Sequence, residues 1–177
     1  ELDLNVDADY YISCLLRRDD FASAVAPMEI QLTDKIDIRA RFGWDGSGQF
    51  VAGFDTADPG AVMQAAKTYF AILKIDANLG SPDEIFLKVY ATNQKVPAND
   101  QNLNGQGTTA NQWTVVGQAS SVTKSIDQIW IRQLGPDTLV HIDELRIGTS
   151  WESVTRLTYG TGCHGPALAT TGRPALG

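Results

Sequence analysis

Apolar and polar residues alternate with a period of two along most of this chain. The clearest case is KIDIRARF at 35–42, where Ile36, Ile38, Ala40 and Phe42 oppose Lys35, Asp37, Arg39 and Arg41. Such alternation is typical of a strand with one face in a core and the other toward solvent. It predicts strands at 10–17, 28–32, 35–42, 48–54, 68–76, 84–90, 112–116, 125–134 and 138–147.

Turn-forming residues separate these segments. Asp45-Gly46-Ser47-Gly48 lies between two alternating runs and predicts a hairpin, because glycine accepts the positive φ that tight turns need. Gly135-Pro136-Asp137 predicts a second turn, and the Asn-, Gln- and Gly-rich segment 91–112 predicts an exposed loop. Only 59–67 and 150–155 fit short helices, with Ser150 as the N-cap of the second.

About nine strands without intervening helices argue against a parallel α/β fold and favour an antiparallel sandwich or barrel. We predict an all-β fold, an antiparallel β-sandwich with one or two short helical turns. The length of 177 residues suits a single domain with a sizeable core.

Four segments carry a resemblance to a known family: YYISCLLRRDD, RFGWDGSGQFVAGF, TYFAILKIDANLGSPDEIFLKVY and IDELRIGTSWESVT. Together they resemble the concanavalin A-like, or laminin-G-like, jelly-roll domains of large exported bacterial proteins. The resemblance covers 1–156 and is most specific at IDELRIGTSWESVT. It implies two curved antiparallel sheets and a noncatalytic module used for binding, adhesion or spacing.

Both ends of the chain depart from that pattern. Only ELDLNVDAD precedes the first matching strand, so either an early strand is missing or another chain supplies it. Residues 157–177 are similar to segments that follow such domains, and we expect an extended tail or the start of another module. Because the chain opens at Glu1 without Met, we also expect a processed or partial product.

Net charge and hydropathy limit which classes of partner and which location are compatible with the sequence. There are 14 Lys plus Arg against 21 Asp plus Glu, a net charge of -7, which repels nucleic-acid phosphates and anionic membrane surfaces. No apolar run approaches the roughly 20 residues that a bilayer-spanning helix needs. We therefore expect no nucleic-acid partner and no membrane insertion, and the resemblance implies an extracellular or cell-surface location in bacteria.

The acidic pair Asp143-Glu144 is the first place to look for chemistry. On a regular strand adjacent side chains diverge, so the two carboxylates form no close pair unless a bulge intervenes. Retaining glycoside hydrolysis needs two carboxyl groups about 5 to 5.5 Å apart. We expect no catalytic residues: His141 and Asp143 share a face for a structural hydrogen bond, and Glu144 and Arg146 share the other for a weak ion pair. The first face also holds Leu139, Leu145 and Ile147, and the second holds Val140 and Ile142.

Metal and thiol chemistry has little support in the sequence. Asp3, Asn5, Asp7 and Asp9 alternate on one strand face and are candidate ligands for calcium, which prefers six to eight hard oxygens, although a solvated strand face explains them as well. Asp45, Asp55 and Asp58 in turns are weaker candidates. Cys14 alternates with apolar residues and is predicted to be buried, whereas Cys163 lies in a Gly-rich tail. A disulfide between them is one alternative, and an unpaired or externally paired Cys163 is the other. No other cofactor is expected.

A glycan site needs aromatic rings that stack on sugars beside polar groups that bond hydroxyls. Trp44 at the hairpin and Trp113 at the end of the Asn-rich loop supply candidate rings, with Asp45, Asn104 and Asn111 as polar neighbours. The alternative is that these tryptophans pack in the core, as we expect for Trp130 and Trp151.

Two functions remain in view. The first is a noncatalytic extracellular module for adhesion or glycan binding, with a polysaccharide or a cell-surface glycan as partner. The second is a structural subunit that assembles with other copies of the same chain into a filament or surface layer. Strand addition at an unfilled sheet edge, or the extended C-terminal tail, would join such subunits.

Overall fold

The structure is a computed structural model that describes residues 1–19, 27–35, 37–54, 58–120, 125–133 and 139–156. Within these ranges there are ten strands and one short helix. The elements are β1 Ala8–Arg18, β2 Met28–Asp34, β3 Asp37–Trp44, β4 Gln49–Gly53, β5 Asp58–Val62, β6 Thr68–Ala77, β7 Glu84–Ala91, β8 Val115–Val116, β9 Gln128–Gln133, β10 Val140–Gly148 and α1 Trp151–Thr155. The tail 157–177, Cys163, Asp55 and the predicted turn at 135–137 lie outside the described residues.

The strands form two five-stranded sheets, each antiparallel throughout. The first sheet has the order β10-β1-β6-β7-β8 and the second has the order β5-β4-β3-β2-β9. The chain passes from one sheet to the other after β1, β5, β8 and β9, which is the jelly-roll arrangement. The predicted antiparallel β-sandwich with a short helical turn is therefore confirmed. In the described residues, no helix is long and apolar enough to span a membrane.

The central core lies between the inner faces of the two sheets. Ile12 and Leu16 from β1 pack with Ile30 from β2 and Phe42 from β3, and all four are completely buried. Removing one such side chain from water contributes about 1.5 to 3 kcal/mol. Cys14 is buried on the same face, as predicted, and burial raises the pKa of its thiol to about 12.

A second apolar cluster covers the outer face of the first sheet. We call it the outer cluster, and its buried members are Tyr11, Ile72, Tyr90, Trp113, Trp151 and Val154. The helix α1 and the loop after β7 supply its cover. Ser150 caps α1 by accepting a hydrogen bond from the Ser153 amide at 3.2 Å, which confirms the predicted helix at 150–155.

The predicted helix at 59–67 is wrong, because its first residues form β5. This strand pairs with β4 through Ala52 and Asp58, and Pro59 sits on the sheet edge, where its missing amide hydrogen costs no ladder bond. A side chain at Gly60 would collide with the carbonyl oxygen of Thr114. Close packing against β8 thus overrides the helix-forming alanines that follow.

A β-bulge in β10 also corrects the predicted side-chain faces. Ser13 pairs with Arg146 but Leu15 pairs with Asp143, so Glu144 and Leu145 together oppose one residue of β1. Glu144 takes the left-handed conformation, with φ of 52°. The extra residue reverses the alternation. Ile142 and Ile147, predicted on opposite faces, therefore lie on the same inner side of the sheet, opposite Leu16 and Ile12 respectively, where Ile142 packs on the core and Ile147 stays 50% exposed.

Candidate functional site

The two tryptophans predicted to stack on sugars are buried in different clusters. Trp44 continues the inner-face series of β3 and is 0% exposed in the central core, opposite Met28 and Phe50. Trp113 is 5% exposed in the outer cluster, with its ring centroid 5.1 Å from that of Phe86 and 6.3 Å from that of Trp151. The structure neither brings these two rings together nor presents them to solvent, so the core-packing alternative describes both.

The polar residues predicted beside them serve local structure. The carboxylate of Asp45 accepts hydrogen bonds from the Ser47 amide at 2.8 Å, the Ser47 hydroxyl at 2.7 Å and the Gln49 amide at 3.0 Å, which closes the predicted hairpin. Partial burial pushes the pKa of Asp45 upward, but these hydrogen bonds outweigh it and leave the pKa lowered. Asn104 and Asn111 are exposed and are joined by a backbone hydrogen bond of 3.0 Å within the loop.

The candidate calcium ligands each make a separate contact. Asp3 accepts from the Asn5 amide at 2.9 Å, Asp7 accepts from the Leu79 amide at 2.6 Å, and Asp9 pairs with Lys74 at 3.1 Å. Within the described ranges, no group of three or more His, Cys, Asp and Glu side chains is arranged to hold a metal ion. The structure adds no support for calcium, which stays a prediction.

The acidic pair of β10 is occupied by structural contacts. Asp143 accepts from the Glu144 amide at 2.7 Å, and Glu144 pairs with Arg146 at 2.6 Å, as predicted. His141 contacts Asp19 at 2.8 Å, where a bond to Asp143 was predicted. The hydrogen bond from His141, together with Arg17, lowers the pKa of the Asp19 carboxyl.

A different group of polar residues lies on the outer face of the second sheet. We call it the polar face, and its members are Glu29, Gln31, Arg39, Arg41, Trp130 and Arg132. Cross-strand pairing arranges five of them in two rows, because paired residues project to the same side of a sheet. One row runs Trp130, Gln31 and Arg41, and the next runs Arg132, Glu29 and Gly43.

Gln31 occupies the centre of the polar face and is only 2% exposed. Its amide nitrogen donates to Glu29 at 2.7 Å, and the other carboxylate oxygen of Glu29 contacts Arg41 at 3.4 Å. The amide oxygen of Gln31 is buried without a hydrogen-bond partner. A buried acceptor of this kind costs about 1 to 3 kcal/mol until a donor reaches it.

Trp130 lies beside Gln31 on edge strand β9 and is 40% exposed. Its indole nitrogen donates to Gln128 at 3.0 Å, which holds the ring in place on the sheet. Sequence reasoning assigned this tryptophan to packing. The period of two places Trp130 outward, because Ile129 and Ile131 pair with the buried residues Leu32 and Ile30.

Arg39 and Gly43 complete the shape of the polar face. The guanidinium of Arg39 pairs with Asp37 at 2.8 Å and with Asp34 at 3.5 Å, and these two ion pairs hold it at one end of the polar face. Gly43 leaves the position beside Glu29 without a side chain, since a Cβ there would collide with the Met28 carbonyl. The result is a shielded polar centre with an exposed aromatic ring at its side.

Two other features of the first sheet anchor the loop that follows β7. Lys88 is 4% exposed beside a cleft of about 220 Å³, and its ammonium donates to the carbonyls of Thr109 at 2.9 Å and Gln112 at 2.5 Å. Burial lowers the pKa of Lys88. Both acceptors belong to the loop, so Lys88 fastens it to the sheet.

The second anchor is a charged cluster around Lys74. Its ammonium lies 3.1 Å from Asp9, 3.6 Å from Asp100 and 3.9 Å from Asp76. The Tyr11 hydroxyl also donates to Asp100 at 2.9 Å. Since Asp100 comes from the loop, these contacts tie the loop to β1 and β6 and leave the carboxylates with an internal counterion.

No protein-family model and no curated protein sequence matches the chain. Among solved structures, the galectin LEC-6 of Caenorhabditis elegans is similar at 16% identity and a TM-score of 0.45, covering 81% of this chain and 85% of that one. A sialidase of Trypanosoma rangeli is similar at 10% identity and a TM-score of 0.34, covering 76% of this chain but 20% of the sialidase. At TM-scores below 0.5, neither likeness carries an argument about function.

Proposed function

We propose that this chain is a noncatalytic glycan-binding module of an extracellular or cell-surface bacterial protein, and that its polar face contacts a polysaccharide or a cell-surface glycan. The observation that carries the proposal is the buried amide oxygen of Gln31, which has no hydrogen-bond partner and lies beside the exposed ring of Trp130. Adhesion through that glycan is the corresponding role for the parent protein.

The chemistry of the polar face matches what a sugar ring presents. A hydroxyl that donates to the Gln31 oxygen satisfies a buried acceptor, and Glu29 and Arg41 offer an acceptor and a donor nearby. The face of Trp130 gives an apolar surface for the C–H side of the ring, as aromatic side chains do at binding sites. Glu29, Arg41 and Trp130 are held by contacts within the sheet, so little ordering of these three is needed on binding, whereas the Gln31 oxygen must first be uncovered.

The noncatalytic part of the proposal rests on how the acids on and next to the polar face are used. Glu29 is tied to Gln31 and Arg41, while Asp34 and Asp37 are tied to Arg39. Each carboxylate therefore supports a neighbouring side chain. The test is to incubate the chain with each glycan that it binds and to measure the reducing ends formed. We expect no new reducing ends, and their steady release would contradict the proposal.

A glycan array spanning plant, algal and bacterial polysaccharides tests the binding function. We expect wild-type protein to bind at least one glycan, Trp130→Ala to bind none detectably, and Gln31→Ala to bind about tenfold more weakly, as one lost hydrogen bond implies. Val62→Ala is the matched control, because Val62 is 61% exposed on the opposite edge of the same sheet. A blank array, or unchanged binding by Trp130→Ala, would contradict the proposal.

The location is tested in the native cells. An antibody against this chain is expected to label intact cells or to detect the protein in the medium. If washed intact cells are not labelled and the protein is found only inside them, an extracellular role is contradicted.

The second candidate, a structural subunit joined by strand addition, is favoured by one observation. Edge strand β9 pairs only with β2 among the described residues and carries two exposed apolar side chains, Trp130 and Ile131. Electron microscopy of the purified chain tests assembly into a filament or surface layer. Ordered polymers would support it, and particles of fixed small size would exclude it.

A further inference from the structure

Among the described residues the two sheets have four edge strands, β10 and β8 in the first and β5 and β9 in the second. An edge strand exposes unpaired backbone groups, and natural proteins protect such edges with proline, charge, bulges or very short strands. Three of these four edges carry a proline, a bulge or a very short strand.

Each protected edge uses a different one. In β5, Pro59 removes an amide hydrogen. β8 is only two residues long. In β10, the bulge at Glu144 interrupts the backbone ladder, and the Asp143 carboxylate already binds the Glu144 amide at 2.7 Å.

β9 is the exception. It is a regular six-residue strand, QIWIRQ, whose only charged residue is Arg132, and it has no proline and no register shift against β2. Trp130 is 40% exposed on its outer side, and Ile131 is 54% exposed although it pairs with the buried Ile30 and therefore points toward the interior of the sandwich. An apolar side chain on the inner face that stays this exposed is not covered by the described part of the chain.

We propose that β9 pairs antiparallel with β9 of a second copy of this chain about a two-fold axis through Trp130. The strand is complementary to itself in this register. Trp130 meets Trp130 of the second copy on the outer side, and Ile129 meets Ile131 of the second copy on the inner side, so like surfaces pair on both faces. Arg132 then faces the neutral Gln128 of the second copy, and no two like charges are opposed.

This pairing closes on itself. It joins the second sheets of the two copies into one ten-stranded sheet and uses the β9 edge of each copy, so the product is a dimer and not a filament. Each copy carries a net charge of -7, and two copies repel one another at long range. Added salt screens that repulsion, so the dimer strengthens as ionic strength rises.

The dimer would also enlarge the proposed binding surface. The two polar faces become continuous, with the pair of Trp130 rings at their junction, and a polymeric glycan could engage both. The dimer proposal does not rest on glycan binding, so if either proposal fails its test, the other can still be tested.

Sedimentation equilibrium of the whole chain tests the proposal. We expect wild type and Val62→Lys to dimerise with rising concentration, more strongly at high salt, and Ile131→Lys to stay monomeric because it places a charge in the paired edge. Val62 is the matched control, an exposed apolar residue on the proline-protected edge. Wild type that remains monomeric at every concentration and salt level, Ile131→Lys that dimerises like wild type, or growth beyond the dimer would overturn it.

A cross-link gives an independent readout that does not depend on how Ile131→Lys folds. Residues paired on antiparallel strands have Cα atoms about 4.5 to 5.5 Å apart, within disulfide range. In a Cys163→Ser background, Trp130→Cys is expected to form a covalent dimer under mild oxidation, whereas Val62→Cys is not. Equal cross-linking of the two variants would refute the two-fold pairing.

Discussion

The outer cluster predicts a large loss of stability for Trp151→Ala. Trp151 is 3% exposed, and its ring meets Tyr11, Trp113 and Tyr90 edge to face at centroid distances of 6.2, 6.3 and 6.5 Å. Its indole nitrogen also donates to the Pro97 carbonyl at 2.9 Å. The side chain thus joins α1, the first sheet and the loop after β7.

The magnitude follows from burial. Burying a tryptophan side chain removes about 150 to 250 Å² of its surface from water. At about 25 cal/mol per Å², this burial contributes roughly 4 to 6 kcal/mol to stability. Measured truncations of buried aromatic residues to alanine cost about 3 to 5 kcal/mol. For a chain of this length each kcal/mol lowers Tm by about 2 to 4 °C, so we expect a fall of roughly 6 to 20 °C.

Urea unfolding followed by circular dichroism measures the change. Trp151→Phe keeps an aromatic ring and loses the bond to Pro97, so it should cost clearly less than Trp151→Ala. Trp130→Ala is the matched control, because that ring is 40% exposed and its removal should cost under about 1 kcal/mol. Equal destabilisation by Trp151→Ala and Trp130→Ala would refute the assignment of Trp151 to a buried cluster.

Three further outcomes are expected. Ala66 takes φ of 55°, so Ala66→Gly should raise the free energy of unfolding by about 1 kcal/mol, whereas Ala65→Gly, at a residue without positive φ, should not; urea midpoints compare them. Partial burial and the nearby Asp9 raise the pKa of Asp76 above its ordinary value of 3.8. The folded state therefore binds the Asp76 proton more tightly than the unfolded state, and stability falls as the pH rises from 3.8 through the folded pKa. Asp76→Asn should therefore be more stable than wild type at neutral pH and equal to it well below pH 3.8, and a gain that persists in acid would contradict this cause. Lys88→Met should leave the sandwich folded but speed amide exchange at the loop, because Lys88 holds the Thr109 and Gln112 carbonyls; unchanged exchange would count against that anchor.

The period of two was sufficient to predict most of the sandwich from the sequence. Ala40 and Phe42 are buried where the alternation placed them, and the Asp45 hairpin forms as its turn residues indicated. The alternation fails where the backbone departs from a regular strand. The bulge at Glu144 reverses the faces of β10, and no residue type at that position signals it.

The candidate site was harder to predict, because exposure is a property of both sheets together. Trp44 follows Ala40 and Phe42 with the same period and belongs with them in the core, although its place next to a turn suggested a surface ring. Trp130 lies between two isoleucines and points outward by the same rule. The loop that buries Trp113 is polar in sequence, and only the contacts of Lys88 and Lys74 show why it stays on the sheet.

The four tryptophans allow one direct measurement of where a glycan binds. A two-dimensional NMR titration of the indole N–H signals, with a glycan that the protein binds, reports on Trp44, Trp113, Trp130 and Trp151 separately. A polar-face site predicts that the Trp130 signal shifts with saturation while the three buried indoles stay in place. A saturating shift at Trp113 or Trp44 with Trp130 unchanged would contradict it.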